Sequence, residues 1–196
     1  VRQLFAKAQQ LYGDRQWKLA PHDALDKLMD FFAARLRNYF MSQGQDTLLV
    51  DAALGAGAED VKDCGARLAA LAAFSQATDY EAAVQTFKRV ANILRKQGQA
   101  EELSDHWDPA LLREDAEKEL AAVLEEMLPR LDALWATHDH AAALACLSDV
   151  RPAVDAFFAG VMVMCDEADL RRNRLSMLHG LGSRFARLAD FSALQM

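Results

Sequence analysis

Between Ala24 and Tyr39 the apolar residues Leu25, Leu28, Met29, Phe32, Leu36 and Tyr39 recur mostly at spacings of three and four. That is the period of one face of an α-helix, and similar stripes recur along nearly the whole chain. No stretch alternates apolar with polar residues convincingly, as a half-buried strand would. The class expected is therefore all-α, a helical bundle of about eight helices.

Glycine, proline and capping residues divide the pattern. A helix begun near Pro21, His22 and Asp23 should end before Gly44, and Asp46 to Leu54 should form a short helix broken by "GAGA" at residues 55–58. Asp60 to Phe74 and Asp79 to Gln97 follow, the second stopped by Gly98. "WDPALL" offers Asp108 as N-cap and Pro109 as first helical residue, opening a long helix that Pro129 should kink or restart. Helices over residues 139–147, 151–164 and 167–189 complete the set. In the junction "DAFFAGVMVMCDEADLRRNRL", the spacing places Phe157, Phe158, Val161, Met162 and Met164 on one buried helical face. Asp166 then caps the next helix, Glu167 and Asp169 suit its first turn, and Arg171 or Arg174 suits a structural ion pair. Gly180 and Gly182 fall inside that last helix, where a bend is expected. No segment repeats at a fixed period, which removes the common helical solenoids.

With 196 residues, 52% of them hydrophobic, the chain can bury one sizeable core, and it is read as a single domain over residues 1–196. Its parts are a lead-in helix over 1–20, a first helical half over 21–98, an acidic segment over 99–150 and C-terminal helices over 151–196. The first residue is Val1, which suggests a segment of a longer polypeptide. No window is apolar enough to span a bilayer and the N-terminus lacks the zones of a signal peptide, so a cytoplasmic location without membrane contact is expected. Cys64, Cys146 and Cys165 are odd in number and far apart, and read as reduced structural thiols.

A formal charge of -7 argues at first against a polyanionic partner. Its distribution says otherwise. Residues 101–150 hold 13 acids against three lysines and arginines, while the two flanking segments carry a slight cationic excess. The acidic run is expected to cover a solvated face turned away from a polyanion.

Few motifs suggest catalysis. His22-Asp23 and "HDH" at 138–140 resemble the histidine–aspartate pairs of metal phosphohydrolases, but no H-x-x-x-H or C-x-x-C spacing supplies a facing ligand pair, so no metal site is expected. "GAGAED" lacks the third glycine and the preceding strand of a dinucleotide or phosphate loop. No nucleophile motif is recognisable.

"YEAAVQTFKRVANILRKQG" is different. Val84, Phe87, Ala91 and Leu94 share its core face, while Gln85, Lys88, Asn92 and Arg95 line up beside it at spacings of three, four and three. Arg89 and Lys96 add charge on the next face. Cations can hold phosphate and amides can read base edges, so the stripe has the groups needed to bind an exposed single strand. The competing explanation is an ordinary solvated helix face.

Three blocks, "LMDFFAARLRNYFMSQGQDTLLVDAAL", "FKRVANILRK" and "DVRPAVDAFFAGVMVMCDEADLRRNRLSMLHGLGSRFARLADFSALQ", resemble in this order the C-terminal region of the bacterial glycyl-tRNA synthetase β-subunit family. That region is a helical anticodon-binding domain of the DALR type shared with arginyl-tRNA synthetases. The four-letter signature itself is matched only partially, at residues 23–26 and 132–135. The resemblance implies that this segment grips tRNA(Gly) by its anticodon stem-loop and catalyses nothing. An α subunit, in an α2β2 tetramer, would use ATP and Mg2+ to activate glycine, so no cofactor is expected in this segment. Glycine anticodons share cytosines at their second and third positions. Asn92 with Arg89 or Arg95 would read them, Lys88 would hold a nearby phosphate, and Arg35, Arg37 and Tyr39 are further candidates, Tyr39 as a stacking platform. Two alternatives stay open: an anticodon-binding domain of the arginyl type, and a non-enzymatic helical scaffold whose apolar stripes dock a protein.

Overall fold

A computed structural model of the chain describes residues 1–13, 15–97 and 103–194. Among these residues there are eight α-helices, two short 3-10 turns and no strand: α1 (Arg2–Tyr12), α2 (Pro21–Ser42), α3 (Thr47–Gly55), α4 (Val61–Phe74), α5 (Tyr80–Gln97), α6 (Asp115–Ala136), α7 (His140–Gly160) and α8 (Ala168–Leu188). The all-α expectation holds. The stop assigned to Gly98 lies outside the described residues.

Local chemistry sets several boundaries as expected. Pro21 occupies the first turn of α2, the Asp46 carboxylate accepts from Leu48 N and Leu49 N, and that of Asp60 accepts from Lys62 N and Asp63 N. Gly44 takes φ +81° just beyond α2, a conformation glycine adopts without strain.

Three boundaries differ. Asp108 and Pro109 open only a 3-10 turn, Pro109–Leu111; α6 starts at Asp115 on a capping box in which Glu114 and Glu117 satisfy each other's backbone N–H groups. The two helices expected over 139–147 and 151–164 are one, because α7 runs through Pro152, as α6 runs through Pro129. Each helix buries side chains on both sides of its proline, and this packing outweighs the lost backbone hydrogen bond. Finally, α7 ends at Gly160, and residues 161–167 are not helical. There the side chains alternate: Val161 and Val163 are buried, whereas Met162 is 75% and Met164 41% exposed. The two methionines expected in the core point outward because the helical period has ended. Asp166 does not cap α8 either; Glu167 holds the N-cap position without a side-chain cap bond, and its carboxylate pairs with Arg113.

The core is one apolar cluster drawn from α2 to α8 and the C-terminal 3-10 turn, Phe191–Ala193. Phe87, Phe185 and Phe191 stack at its centre, with Phe87 and Phe185 centroids 4.1 Å apart. Gly180 and Gly182 lie inside one continuous helix, α8, and only Gly182 is needed for close approach: a Cβ there would come within 2.4 Å of Leu94 Cδ1, so α5 and α8 can nest.

Two buried ion pairs lock helices together. Arg67, 3% exposed, donates to the carbonyls of Ala53, Leu188 and Gly57 and through Nε to Asp63 Oδ2 at 2.8 Å, joining the ends of α3 and α8 to α4. Glu117, fully buried, accepts from Arg174 and from the backbone N–H groups of Arg113 and Glu114, while Arg174 also donates to Met162 O at 2.9 Å. The acidic segment is therefore not only a solvated face: Glu117 is interior, and Asp105 and Asp132 both bond Arg184 on α8.

Candidate nucleic-acid interface

The polar stripe of α5 forms one wall of an open groove of about 570 Å3, lined by Gln85, Lys88, Arg89, Asn92, Ile93, Lys96 and Gln97, with Met164 opposite. The opposing side exists because α7 stops at Gly160 and the non-helical segment after it, which turns at Val163 and Met164, leaves Met164 exposed. The groove thus combines three cations, three amides and an apolar thioether.

The side chains are partly pre-set. The Arg89 guanidinium lies 4.1 Å from the centroid of the Phe158 ring, so its plane has a fixed support while the residue remains exposed. Arg95 Nη2 donates to Asn92 Oδ1 at 2.9 Å. Because arginine has no acceptor, that bond orients the Asn92 amide: its NH2 group remains as donor, and its oxygen is already engaged. Lys88 donates through Nζ to the carbonyl of Leu194, so this half-buried ammonium is tied to the C-terminal segment. Gln85 and Lys96 are exposed at the rim.

The α2 candidates are placed apart from this groove and none of them lines it. Arg37 grips Asp51 with two bonds, Nε to Oδ1 at 2.5 Å and Nη2 to Oδ2 at 3.0 Å, and these hold the Asp51 carboxyl below the usual carboxylate range. Arg37 joins α2 to α3 as a structural residue. Arg35 is exposed, its guanidinium 5.1 Å from the centroid of the Phe31 ring, and Tyr39 is exposed with its ring edge-on to Phe40.

Of the six residues that the sequence singles out on the α5 stripe and its flank, five line the groove and Arg95 does not; Ile93, Gln97, Met164 and the supporting ring of Phe158 were not among the sequence candidates for it. Gly160, a poor helix former directly before "VMVM", was the signal available for Met164: α7 ends there and the helical period with it. Phe158 carried no signal, since its partner Arg89 is 69 residues away by number.

At the opposite junction, histidines from "HDH" do converge with a third group. His138 Nδ1 and His140 Nε2 lie 2.8 and 3.0 Å from Asp63 Oδ1. Among the described residues His22 pairs with its neighbour Asp23.

The DALR anticodon-binding domain family matches residues 84–189, which include most of α5 and all of α6 to α8. The chain is 59% identical, over its whole length, to the glycine–tRNA ligase β subunit of Nitratidesulfovibrio vulgaris Hildenborough, and spans 28% of that protein. Identity to the β subunit of Oleidesulfovibrio alaskensis is 54% over the whole chain and 28% of the relative. For that of Vibrio parahaemolyticus it is 38% over 98% of the chain and 27% of the relative.

Proposed function

Since the chain belongs to the DALR anticodon-binding domain family, we propose that it reads the anticodon of tRNA(Gly) within a glycine–tRNA ligase β subunit, using the α5 groove. The observation that carries this reading is the groove itself: the oriented Asn92 amide, the supported Arg89 plane and the rim cation Lys96 face one open space of about 570 Å3, room enough for an unstacked base.

Cytosine presents two acceptors, ring nitrogen and carbonyl, beside one amino donor. The Asn92 NH2 and Arg89 supply donors for the acceptor side, and the Gln85 carbonyl takes the amino hydrogen. Asn92 acts here as a donor because its oxygen accepts from Arg95. Met164 packs on the base face, and Lys96 meets the backbone phosphate. No helix among the described residues is long and apolar enough to cross a membrane. In this reading the segment works in the cytoplasm and performs no chemistry. Glycine activation with ATP and Mg2+ belongs to an α subunit, and the enzyme assembles as α2β2.

Fluorescence anisotropy with tRNA(Gly) transcripts tests the proposal. Replacing either the second or the third anticodon cytosine is expected to weaken binding by about 1–3 kcal/mol, the loss typical of a base-specific contact. Equal affinity for native and altered transcripts would overturn it.

A further inference from the structure

We propose that Asp63, His138 and His140 bind one divalent transition-metal ion of the zinc type, clamping α4 to the start of α7. The three potential ligand atoms lie within 4.8 Å of one another and come from chain segments 75 residues apart or more. Two imidazoles and one carboxylate suit zinc and disfavour magnesium, which prefers oxygen ligands.

The geometry is close to that of a metal centre. Bonds of about 2.0 Å to a tetrahedral ion put ligand atoms roughly 3.3 Å apart. The nitrogens now stand 2.8 and 3.0 Å from Asp63 Oδ1, a few tenths of an ångström short of that separation, and all three atoms lie within 4.8 Å of one another, so a shift of one ring admits the ion. His138, with 66% of its side chain exposed, can supply that movement. The other two ligands are fixed. His140 has a side chain 3% exposed, packs on the Trp135 ring with centroids 5.4 Å apart, and aims Nε2 at Asp63, while its Nδ1 has no hydrogen-bond partner. Asp63 is held by Arg67, which bonds Oδ2 and leaves Oδ1 to the two rings. His138 alone among the described non-glycine residues has positive φ, 56°, and this backbone turns its ring back toward α4. On coordination each ring proton moves to the other ring nitrogen, and the coordinating lone pairs replace the two N–H donors now facing Oδ1. Arg67 is the cation opposing the ion, and its three backbone carbonyls disperse its charge.

Calorimetric titration of the whole chain with zinc chloride is expected to give one ion per chain. Thermal unfolding should shift upward with zinc and not with magnesium chloride. His138→Asn removes the imidazole while tolerating positive φ, and should weaken zinc binding at least about tenfold while leaving the metal-free Tm unchanged. His22→Asn, a remote exposed imidazole, should change nothing. Absence of binding, or zinc affinity equal in His138→Asn and the parent chain, overturns the proposal. A cobalt titration gives a readout that needs no variant: tetrahedral visible bands without thiolate charge transfer are expected, and a thiolate band would move the site to the cysteines and overturn the assignment.

Discussion

The Arg89 guanidinium on α5 rests 4.1 Å from the centroid of Phe158, near the C-terminal end of α7, so a cation lining the groove is positioned by a buried ring from another helix that does not itself line it. Arg89→Ala is expected to lower tRNA(Gly) affinity by about 1–3 kcal/mol, as loss of a base contact does. Phe158→Leu should lower it by about 0.5–1 kcal/mol, the worth of an accessible cation–π contact. If the ring acts through the guanidinium, the two effects will not add: a double-mutant cycle of anisotropy affinities should show Phe158→Leu to be nearly silent once Arg89 is alanine.

Lys88 and Lys96 line the same groove but should behave differently. Lys88 is bonded to the carbonyl of Leu194, whereas Lys96 is exposed at the rim. Lys88→Ala is therefore expected to cost about 0.5–1.5 kcal/mol of stability through the lost hydrogen bond, seen as a lower urea midpoint. Lys96→Ala should leave that midpoint in place and instead make RNA affinity less steeply dependent on salt, weakening all RNA sequences alike.

The contrast between these lysines shows where sequence runs out. Both read as solvated cations on a helical wheel, since periodicity reports which face a residue occupies and not which distant carbonyl reaches it. The all-α class, the α5 stripe and the caps at Asp46 and Asp60 were legible because they depend on neighbours within one or two turns. The break expected between residues 147 and 151 does not occur: α7 continues through Pro152 because it packs on α4 and α6, which no local pattern displays. Arg37, expected to contact RNA, is committed to Asp51 fourteen residues on, and Asp63 joins the two histidines from 75 and 77 residues away. The site therefore depends on long-range pairings to a degree that the fold class does not.

Gly55 closes α3 against the segment that follows α8. A Cβ built there would stand 2.7 Å from Asp190 Cβ, and Asp190 cannot retreat easily, since its N–H donates to Ala52 O at 2.8 Å and its carboxylate accepts from Ser192. Gly55→Ala is expected to destabilise the chain by about 1–3 kcal/mol, the usual cost of overpacking, although alanine favours helix. Gly180→Ala is the control: its Cβ would meet Leu128 Cδ1 at 3.4 Å and Asp105 backbone no closer than 3.7 Å, so the helix-propensity gain of up to about 1 kcal/mol should survive. Thermal unfolding of the two variants should therefore move in opposite directions.

The pair Glu117–Arg174 ties the start of α6 to α8 and, through Met162 O, to the non-helical segment between α7 and α8. Burial raises the Glu117 carboxyl, but bonds from the Glu114 and Arg113 N–H groups and from Arg174 outweigh it and hold the group below its ordinary value of 4.5. A carboxyl depressed in the folded state contributes stability above its unfolded pKa and loses it as pH falls through the folded pKa. Acid unfolding should therefore carry a component from Glu117 that is complete near neutral pH, starts to fall off around its ordinary value of 4.5 and is lost as pH drops on through the lower folded pKa. Glu117→Gln removes that component and leaves Arg174 buried without its counter-charge, at an expected cost of about 3–5 kcal/mol at pH 7. Urea unfolding from pH 7 downward provides the check: the stability gap between parent chain and Glu117→Gln should narrow as the acid limit is approached. A gap that stays constant with pH would show that Glu117 acts through packing and not through its charge.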